Sequence, residues 1–207
     1  MTRDNVVPFN PLDKRQLGES VAQAMLRQPV VPLAEIKNFD GAGIYAIYYH
    51  GDFPAYKPIS GSNMGGRCKA PIYIGKAVPK GARKGSDLSA IPGRVLFSRL
   101  MQHLRSVEEA TNLSVEDFSC RYLVVDDIWI PLGESLLIAR FAPLWNSLID
   151  GFGNHDPGKG RHAGLRPRWD VLHPGRSWAD KCQPRLETAE QIETEALEFQ
   201  RNNPPQE

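Results

Sequence analysis

The side chains best suited to chemistry in this 207-residue sequence are two tyrosines, an arginine, a histidine and a glutamate: Tyr45, Tyr73, Arg99, His103 and Glu134. A guanidinium group grips an anion through its fixed fork of donors, and tyrosine and histidine can accept or relay protons. A carboxylate can hold a divalent cation. Each of these residues alone has an ordinary explanation, as a strand aromatic, a solvated helix face or an acid near a helix start. Their order and spacing therefore carry the argument.

Two short apolar and aromatic runs are predicted strands and contain the tyrosines. The first is GAGIYAIYYHG at residues 41–51, and the second is PIYIGKA at residues 71–77. Bounding glycines and the content of isoleucine and tyrosine are typical of strands. Residues 51–70 are rich in Gly, Pro, Ser and Asn and predict a long inserted loop. Two strands on either side of such an excursion should pair antiparallel.

The arginine, the histidine and the glutamate lie in predicted helices. Apolar residues recur with a helical period through RVLFSRLMQHLRSVEEA, which places Arg99 and His103, four residues apart, on one face. FSCRYLVVDD predicts a third strand. In IPLGESLLIARFAPLWN, Pro131 near the start and Pro143 at the end predict a helix with Glu134 in its first turn. Further helices are predicted at Glu19–Arg27 and, acidic and amphipathic, at Arg185–Arg201.

The ordered set of motifs resembles the GIY-YIG nucleases. It consists of Gly43-Ile44-Tyr45, Tyr73-Ile74-Gly75, Arg99 with His103 on a helix, and Glu134-x-x-Leu137-Ile138-x-x-Phe141-x-Pro143-x-Trp145-Asn146. The resemblance covers residues 41–148. It implies an α+β fold with a small, mainly antiparallel three-stranded sheet flanked by helices, carrying a long inserted loop and a basic C-terminal extension. We therefore divide the chain into an N-terminal extension (1–40), a catalytic core (41–148, with the insertion at 51–70) and a C-terminal extension (149–207).

The resemblance also implies roles in phosphodiester hydrolysis. Glu134 would hold one Mg²⁺ ion per active site, because Mg²⁺ keeps several waters and is often bound by only one or two carboxylates. Tyr45 would take the proton from the attacking water, and Arg99 would clamp the scissile phosphate. His103 would bond the Tyr45 oxygen or a phosphate oxygen, and Tyr73 would position phosphate or relay the proton.

Two further residues are assigned supporting roles by the same resemblance. Asn146 would tie backbone together near the site. A phenol with a reference pKa near 10 needs nearby cations to act as a base at neutral pH, and Lys76, Arg99 and His103 could supply them.

The sequence departs from the family pattern in the spacing of its tyrosine motifs. Tyr45 and Tyr73 are 28 residues apart, whereas about a dozen residues are usual in the family, and the difference is larger than most loops. Tyr49 also follows Tyr45 closely and points to the same side of a strand. Tyr49 could therefore replace Tyr45 in the site if the register of the first strand differed.

Charge is segregated along the chain although the net charge is only +1. Residues 76–105 contain seven lysines and arginines and one aspartate, whereas residues 187–207 contain six acids and one arginine. Such a pattern is typical of a face that binds a polyanion. The candidate DNA-binding residues are Arg67, Lys69, Arg83, Lys84, Arg161, Arg166 and Arg168. Phosphate contact is the commoner use of such residues, and reading of guanine the more specific one.

The size and insertions of the chain resemble the type II restriction endonucleases of this family that recognise CCGCGG. That resemblance implies a homodimer cutting a palindrome in double-stranded DNA, with a cognate DNA methyltransferase encoded nearby rather than bound as a subunit. Alternatives are another GIY-YIG nuclease of the repair or mobile-element type, a non-catalytic DNA-binding protein on the same fold, and a metal nuclease using His155, His162 and His173.

Three scattered cysteines predict neither disulfides nor a zinc knuckle. The absence of a signal pattern or a long apolar run predicts a cytoplasmic protein without a membrane span.

Overall fold

The computed structural model describes residues 10, 12–79, 93–156, 158 and 162–204. Its sheet has four strands in the order β1-β4-β2-β3, and every neighbouring pair is antiparallel. The strands are β1 (Val31–Pro32), β2 (Gly43–Tyr49), β3 (Pro71–Ala77) and β4 (Phe118–Val124). The three long strands were predicted, but a three-stranded sheet was wrong. The strand that was not predicted is β1, which has only two residues, too few to show a strand's alternating pattern in the sequence.

Strand β2 lies at the centre of the sheet, and all seven of its residues are buried. Its side chains alternate between two separate apolar clusters, as a strand's period of two requires. Tyr45, Ile47 and Tyr49 belong to one cluster, and Ile44, Ala46 and Tyr48 belong to the other. Both faces of the sheet are therefore covered by other elements.

Seven helices are present in the described residues: α1 (Lys14–Leu26), α2 (Lys57–Asn63), α3 (Val95–Glu109), α4 (Ile130–Phe141), α5 (Leu144–Ser147), α6 (Arg168–Leu172) and α7 (Ala189–Asn202). Helix α3 packs on the Tyr45 side of the sheet, and α1 and α4 pack on the other. Helix α1 begins before the predicted Glu19, because Asp13 caps it by accepting a hydrogen bond from the Arg15 amide at 2.8 Å. No described helix is long and apolar enough to cross a membrane.

The segment 51–70, predicted as a long loop, is largely helical. It contains a 3-10 turn at Pro54–Tyr56, helix α2, and a second 3-10 turn at Met64–Gly66. Proline is compatible with the first turn of a helix, so the prolines that indicated a loop instead start these turns. Asn63 fastens the segment to the sheet by bonding the Tyr49 carbonyl and both backbone groups of Ala70 at 2.8 to 3.0 Å.

Helix α4 differs from the prediction at both ends. It begins at Ile130, which puts Glu134 in the second turn and not in the first. The helix ends where Ala142 adopts a left-handed conformation with φ of 41°, and α5 follows after Pro143 as a separate turn. Pro131 does lie in the first turn, as predicted.

Candidate active site

The site is built around a contact between the central strand and helix α3. Tyr45 Oη lies 2.5 Å from Nε2 of His103, and both residues are buried. Gly75 pairs with Tyr45 across the β2 and β3 strands. A Cβ atom at position 75 would lie 2.3 Å from Tyr45 Oη, so only glycine leaves room for the phenol there. The first and second tyrosine motifs are therefore coupled by packing.

Aromatic rings enclose this contact. The Tyr73 ring meets the His103 ring edge-on at 5.2 Å and the Tyr45 ring at 6.2 Å between centroids. Phe152 stacks on the other side of His103 at 4.5 Å with an interplanar angle of 17°. These contacts fix the orientation of the imidazole and exclude water from it.

Arg99 lies one helical turn before His103, on the same face of α3. Its Nη2 donates to the Gly153 carbonyl at 2.8 Å, and its Nη1 lies 2.5 Å from Nε2 of His155. A guanidinium group can only donate, so Nε2 of His155 is the acceptor and the ring is neutral. Desolvation by burial raises the pKa of both Tyr45 and Tyr73, and the positive charge of Arg99 opposes this rise at both phenols.

Glu134 completes the polar edge of the site. Its Oε2 accepts a hydrogen bond from Lys76 Nζ at 2.5 Å, joining helix α4 to strand β3. Desolvation by burial is the main cause that raises the pKa of Tyr45 and Tyr73, and the negative charge of Glu134 adds to this rise. Among the described residues there is no group of three or more side chains that could hold a metal. A single carboxylate fits Mg²⁺, which retains waters, and does not fit a metal that needs several protein ligands.

Asn146 holds strand β3 in place from the start of α5. Its side chain accepts from the Ile74 amide at 2.8 Å and donates to the Ile74 carbonyl at 2.7 Å. Both hydrogen bonds are to the residue between Tyr73 and Gly75. Asn146 thus ties the backbone of strand β3 at the middle residue of the second tyrosine motif.

Burial controls the proton equilibria of the central pair. Desolvation raises the pKa of Tyr45 well above its usual range, and the neighbouring Tyr73 raises it further, against the lowering effect of Arg99. Desolvation and the Arg99 charge lower the pKa of His103 well below its usual range. His103 is therefore neutral and does not supply a cation to Tyr45, contrary to the expectation from the sequence. Lys76 is paired with Glu134, which leaves Arg99 as the cation acting on the phenol.

The contacts of Tyr49 and of the three histidines distinguish among the alternatives that the sequence left open. Tyr49 Oη accepts from the Phe53 amide at 2.9 Å and its ring packs on Phe118, which places it in the apolar cluster beyond the site. The three histidines of the metal alternative have different partners. His155 meets Arg99, His162 meets Asp156, and His173 meets Tyr56 and Asn112.

The candidate DNA-binding residues have varied environments. Arg67 is exposed and donates to two carbonyls in its own segment, and Lys69 is also exposed. Arg166 pairs with Asp180, and Arg168 lies between Glu187 and Glu195. These two guanidinium groups have intramolecular partners in place of solvent. Arg83, Lys84 and Arg161 lie outside the described residues.

A family model described as the Eco29kI GIY-YIG domain matches residues 37–200. The chain belongs to the GIY-YIG family. No curated protein matches it. The match extends well past residue 148, where the motif resemblance ended, and includes the segment that packs against His103 and Arg99.

Four residues of this GIY-YIG site were not assigned to it from the sequence: Phe152, Gly153, His155 and Arg176. The first three contact His103 or Arg99 directly. Their only signal is the glycine-rich run GFGNH, which indicated a loop. Nothing local in the sequence shows which helix such a loop packs against.

Proposed function

We propose that this protein is a Mg²⁺-dependent restriction endonuclease that cuts both strands of a short palindromic DNA site, with CCGCGG as the expected sequence. The observation that carries the proposal is the cluster of Tyr45, His103, Arg99 and Glu134 in a chain that matches the Eco29kI domain over residues 37–200. Eco29kI is a type II restriction enzyme.

The contact between Tyr45 and His103 supports a coupled proton transfer. Because burial raises the pKa of Tyr45, a standing phenolate is disfavoured at neutral pH. The neutral His103 at 2.5 Å can accept the phenol proton as the Tyr45 oxygen takes a proton from the attacking water. The water oxygen bonds to phosphorus as the bond from phosphorus to the 3′ oxygen breaks, and the leaving 3′ oxygen takes a proton from solvent. No free phenolate is needed in this sequence of transfers.

Charge neutralisation at the phosphate is assigned to Arg99 and to the ion that Glu134 would hold. Arg99 would exchange its contact with His155 for the scissile phosphate, using the same planar fork of donors. Glu134 would release Lys76 when it binds Mg²⁺, freeing the ammonium group for phosphate. When bound, Mg²⁺ supplies Lewis-acid stabilisation of the developing negative charge.

One active site for each chain favours a homodimer on a palindrome, because each strand then meets an equivalent site. Base reading is assigned to segments beyond the catalytic motifs, since phosphate contacts carry no sequence information. The 51–70 segment presents Arg67 and Lys69 on the surface. Because the proposed function is restriction, a cognate DNA methyltransferase is expected to be encoded nearby.

The competing functions on this fold are a repair or mobile-element nuclease and a non-catalytic DNA-binding protein. The contact of Tyr45 with His103, together with the charges of Arg99 and Glu134 that act on Tyr45, argues for catalysis. The test is to incubate the purified protein with two plasmids that differ only in one CCGCGG site, with Mg²⁺ or with EDTA. Restriction predicts one linear product from the site-bearing plasmid with Mg²⁺ alone. Cleavage of both plasmids at many positions would indicate a nuclease without this specificity, and no cleavage of any site would indicate a binding protein.

A further inference from the structure

Arg176 is a buried arginine outside the motifs of the family. Its side chain is 2% exposed. It forms a bidentate pair with Asp170, at 2.7 Å from Nε to Oδ1 and 2.6 Å from Nη2 to Oδ2. The guanidinium group lies over the rings of Trp169 and Trp178 at 4.5 and 4.8 Å. The carboxylate and the two rings together compensate for removing the charge from water.

The remaining donors of Arg176 hold one backbone turn. They reach the carbonyls of Gly151 at 2.9 Å, Phe152 at 3.2 Å and Asn154 at 3.2 Å. The Gly151 carbonyl also accepts from the Asn154 amide at 2.9 Å, which closes the turn. Gly151 has a φ of 107°, a conformation that favours glycine. One side chain therefore fixes three of the four carbonyls of the turn formed by residues 151–154.

The same turn forms one wall of the active site. Phe152 stacks on His103, and the Gly153 carbonyl accepts from Arg99. A Cβ atom at position 153 would lie 2.7 Å from Tyr73 Oη and 3.1 Å from Arg99 Nη2. His155, directly after the turn, accepts from the other terminal nitrogen of Arg99. The turn thus lies against Tyr73, His103 and Arg99, and Arg176 binds its carbonyls.

We propose that Arg176 is a positioning residue for hydrolysis, acting through this turn on the guanidinium group of Arg99. This positioning role rests on the proposed function only in its kinetic test, because that test measures DNA cleavage. The three carbonyls that Arg176 binds flank the Gly153 carbonyl that contacts Arg99, so Arg176 sets the orientation of this acceptor. Because a displacement of about 1 Å at a reacting group can cost on the order of 100-fold in rate, the orientation of this turn matters for chemistry.

The kinetic test is a double-mutant cycle between Arg176→Lys and Arg99→Lys under single-turnover conditions. Lysine keeps the charge beside Asp170 and loses the fork that spans the carbonyls. We expect Arg176→Lys to slow cleavage about 10- to 100-fold in the wild-type background, with DNA affinity little changed. In the Arg99→Lys background the further loss should be under about threefold, because both changes remove the same interaction.

Arg121→Lys is the matched control. Arg121 also lies over a ring, that of Tyr48 at 5.1 Å, and donates to the Cys68 and Gln28 carbonyls, but on the other face of the sheet. This change should lower stability without slowing the chemical step. Equal fold-losses for Arg176→Lys in the two backgrounds, or a loss no larger than that of Arg121→Lys, would overturn the proposal.

Two further measurements cover failure of folding and failure of the proposed function. If Arg176→Lys does not fold, Asp170→Asn enters the same cycle, because it keeps Arg176 and weakens the pair that orients it. An equal loss with and without Arg99 would then overturn the proposal. If the wild type cuts no DNA, the nuclease proposal fails and NMR of the Arg99 guanidinium decides the positioning role. Its terminal N–H signals should be separate in the wild type and in Arg121→Lys, and averaged by rotation in Arg176→Lys or Asp170→Asn. Unchanged Arg99 signals in these variants would contradict the role.

Discussion

The phenol of Tyr45 sits where burial opposes its ionisation and a neutral histidine can take its proton. At the scale of single residues, this arrangement explains how a tyrosine can serve as a base without a depressed pKa. In the proposed mechanism His103 takes this proton, so its departure and the attack of water would be coupled.

Tyr45→Phe should therefore slow the chemical step by at least about 100-fold while the fold survives, because the ring and its packing remain and only the hydroxyl is lost. Tyr49→Phe is the control, since the Tyr49 hydroxyl bonds the Phe53 amide and does not reach the site. Single-turnover cleavage with a folding check by circular dichroism measures both. A larger loss for Tyr49→Phe would exchange the two roles.

A second prediction at the residue scale concerns stability and pH. Burial lowers the pKa of His173 to about 3 in the folded chain, whereas the unfolded chain titrates near the ordinary histidine value. Between these values the unfolded state holds the extra proton, so this contribution to stability is full above about pH 6.5 and is lost as the pH falls. From pH 7 to pH 5 the free energy of unfolding should drop by about 2 kcal/mol for this group.

Urea denaturation at the two pH values, for the wild type and His173→Gln, isolates this effect. The glutamine variant should be less stable at pH 7, because the contacts with Tyr56 and Asn112 would be altered. Its further loss at pH 5 should be smaller than that of the wild type. Equal pH dependence of the two proteins would show that His173 is not the group that titrates.

At the scale of elements, local patterns in the sequence predicted the three long strands, helix α3 and the shared face of Arg99 and His103. The helical period and the strand alternation are properties of neighbouring residues, so they are visible without the fold. The prediction of a long loop at residues 51–70 was wrong, because proline and glycine occur both in loops and at the starts of short helices. The turn at 151–154 could not be placed, because its fixing residue Arg176 comes 22 residues later and its contacts are on α3.

We propose that base reading comes from segments beyond the catalytic motifs, and the prediction concerns Arg67, Arg83, Arg161, Arg166 and Arg168. At least one alanine variant among them should relax discrimination at a single base pair, at a cost of about 1–3 kcal/mol. A phosphate contact would instead weaken all sequences alike and flatten the salt dependence by about one unit. Binding to single-base variants of the site at several salt concentrations separates the two.

Arg168→Ala should behave differently from Arg67→Ala in this series. Arg168 is 11% exposed and lies between two glutamates, so its loss should lower stability more than it changes DNA binding. Arg67 is exposed, so its loss should leave the fold intact. If all five variants act uniformly on every sequence, base reading lies in other segments.

For the whole molecule, the proposed homodimer would place two chains on one palindrome, with one active site for each strand. Sedimentation of the protein with a 20-base-pair duplex containing CCGCGG should show two chains per duplex. Plasmid cleavage should pass from supercoiled to linear with little nicked intermediate. One chain per duplex, with accumulation of nicked circles, would indicate an enzyme that cuts the strands independently.

Glu134 is the proposed ligand of the catalytic ion, and the variant Glu134→Gln tests this role. Glutamine keeps the shape of the side chain but removes the charge that Mg²⁺ requires. Glu19→Gln is the matched control, since Glu19 also pairs with a cation, Arg140 at 3.3 Å, away from the site.

Cleavage of the site-bearing plasmid should be measured across a Mg²⁺ titration, with DNA affinity measured in parallel. We expect Glu134→Gln to abolish cleavage at every Mg²⁺ concentration, while its DNA binding stays within about tenfold of the wild type. Glu19→Gln should cleave normally. Near-normal turnover by Glu134→Gln with Mg²⁺ would show that Glu134 does not hold the catalytic ion.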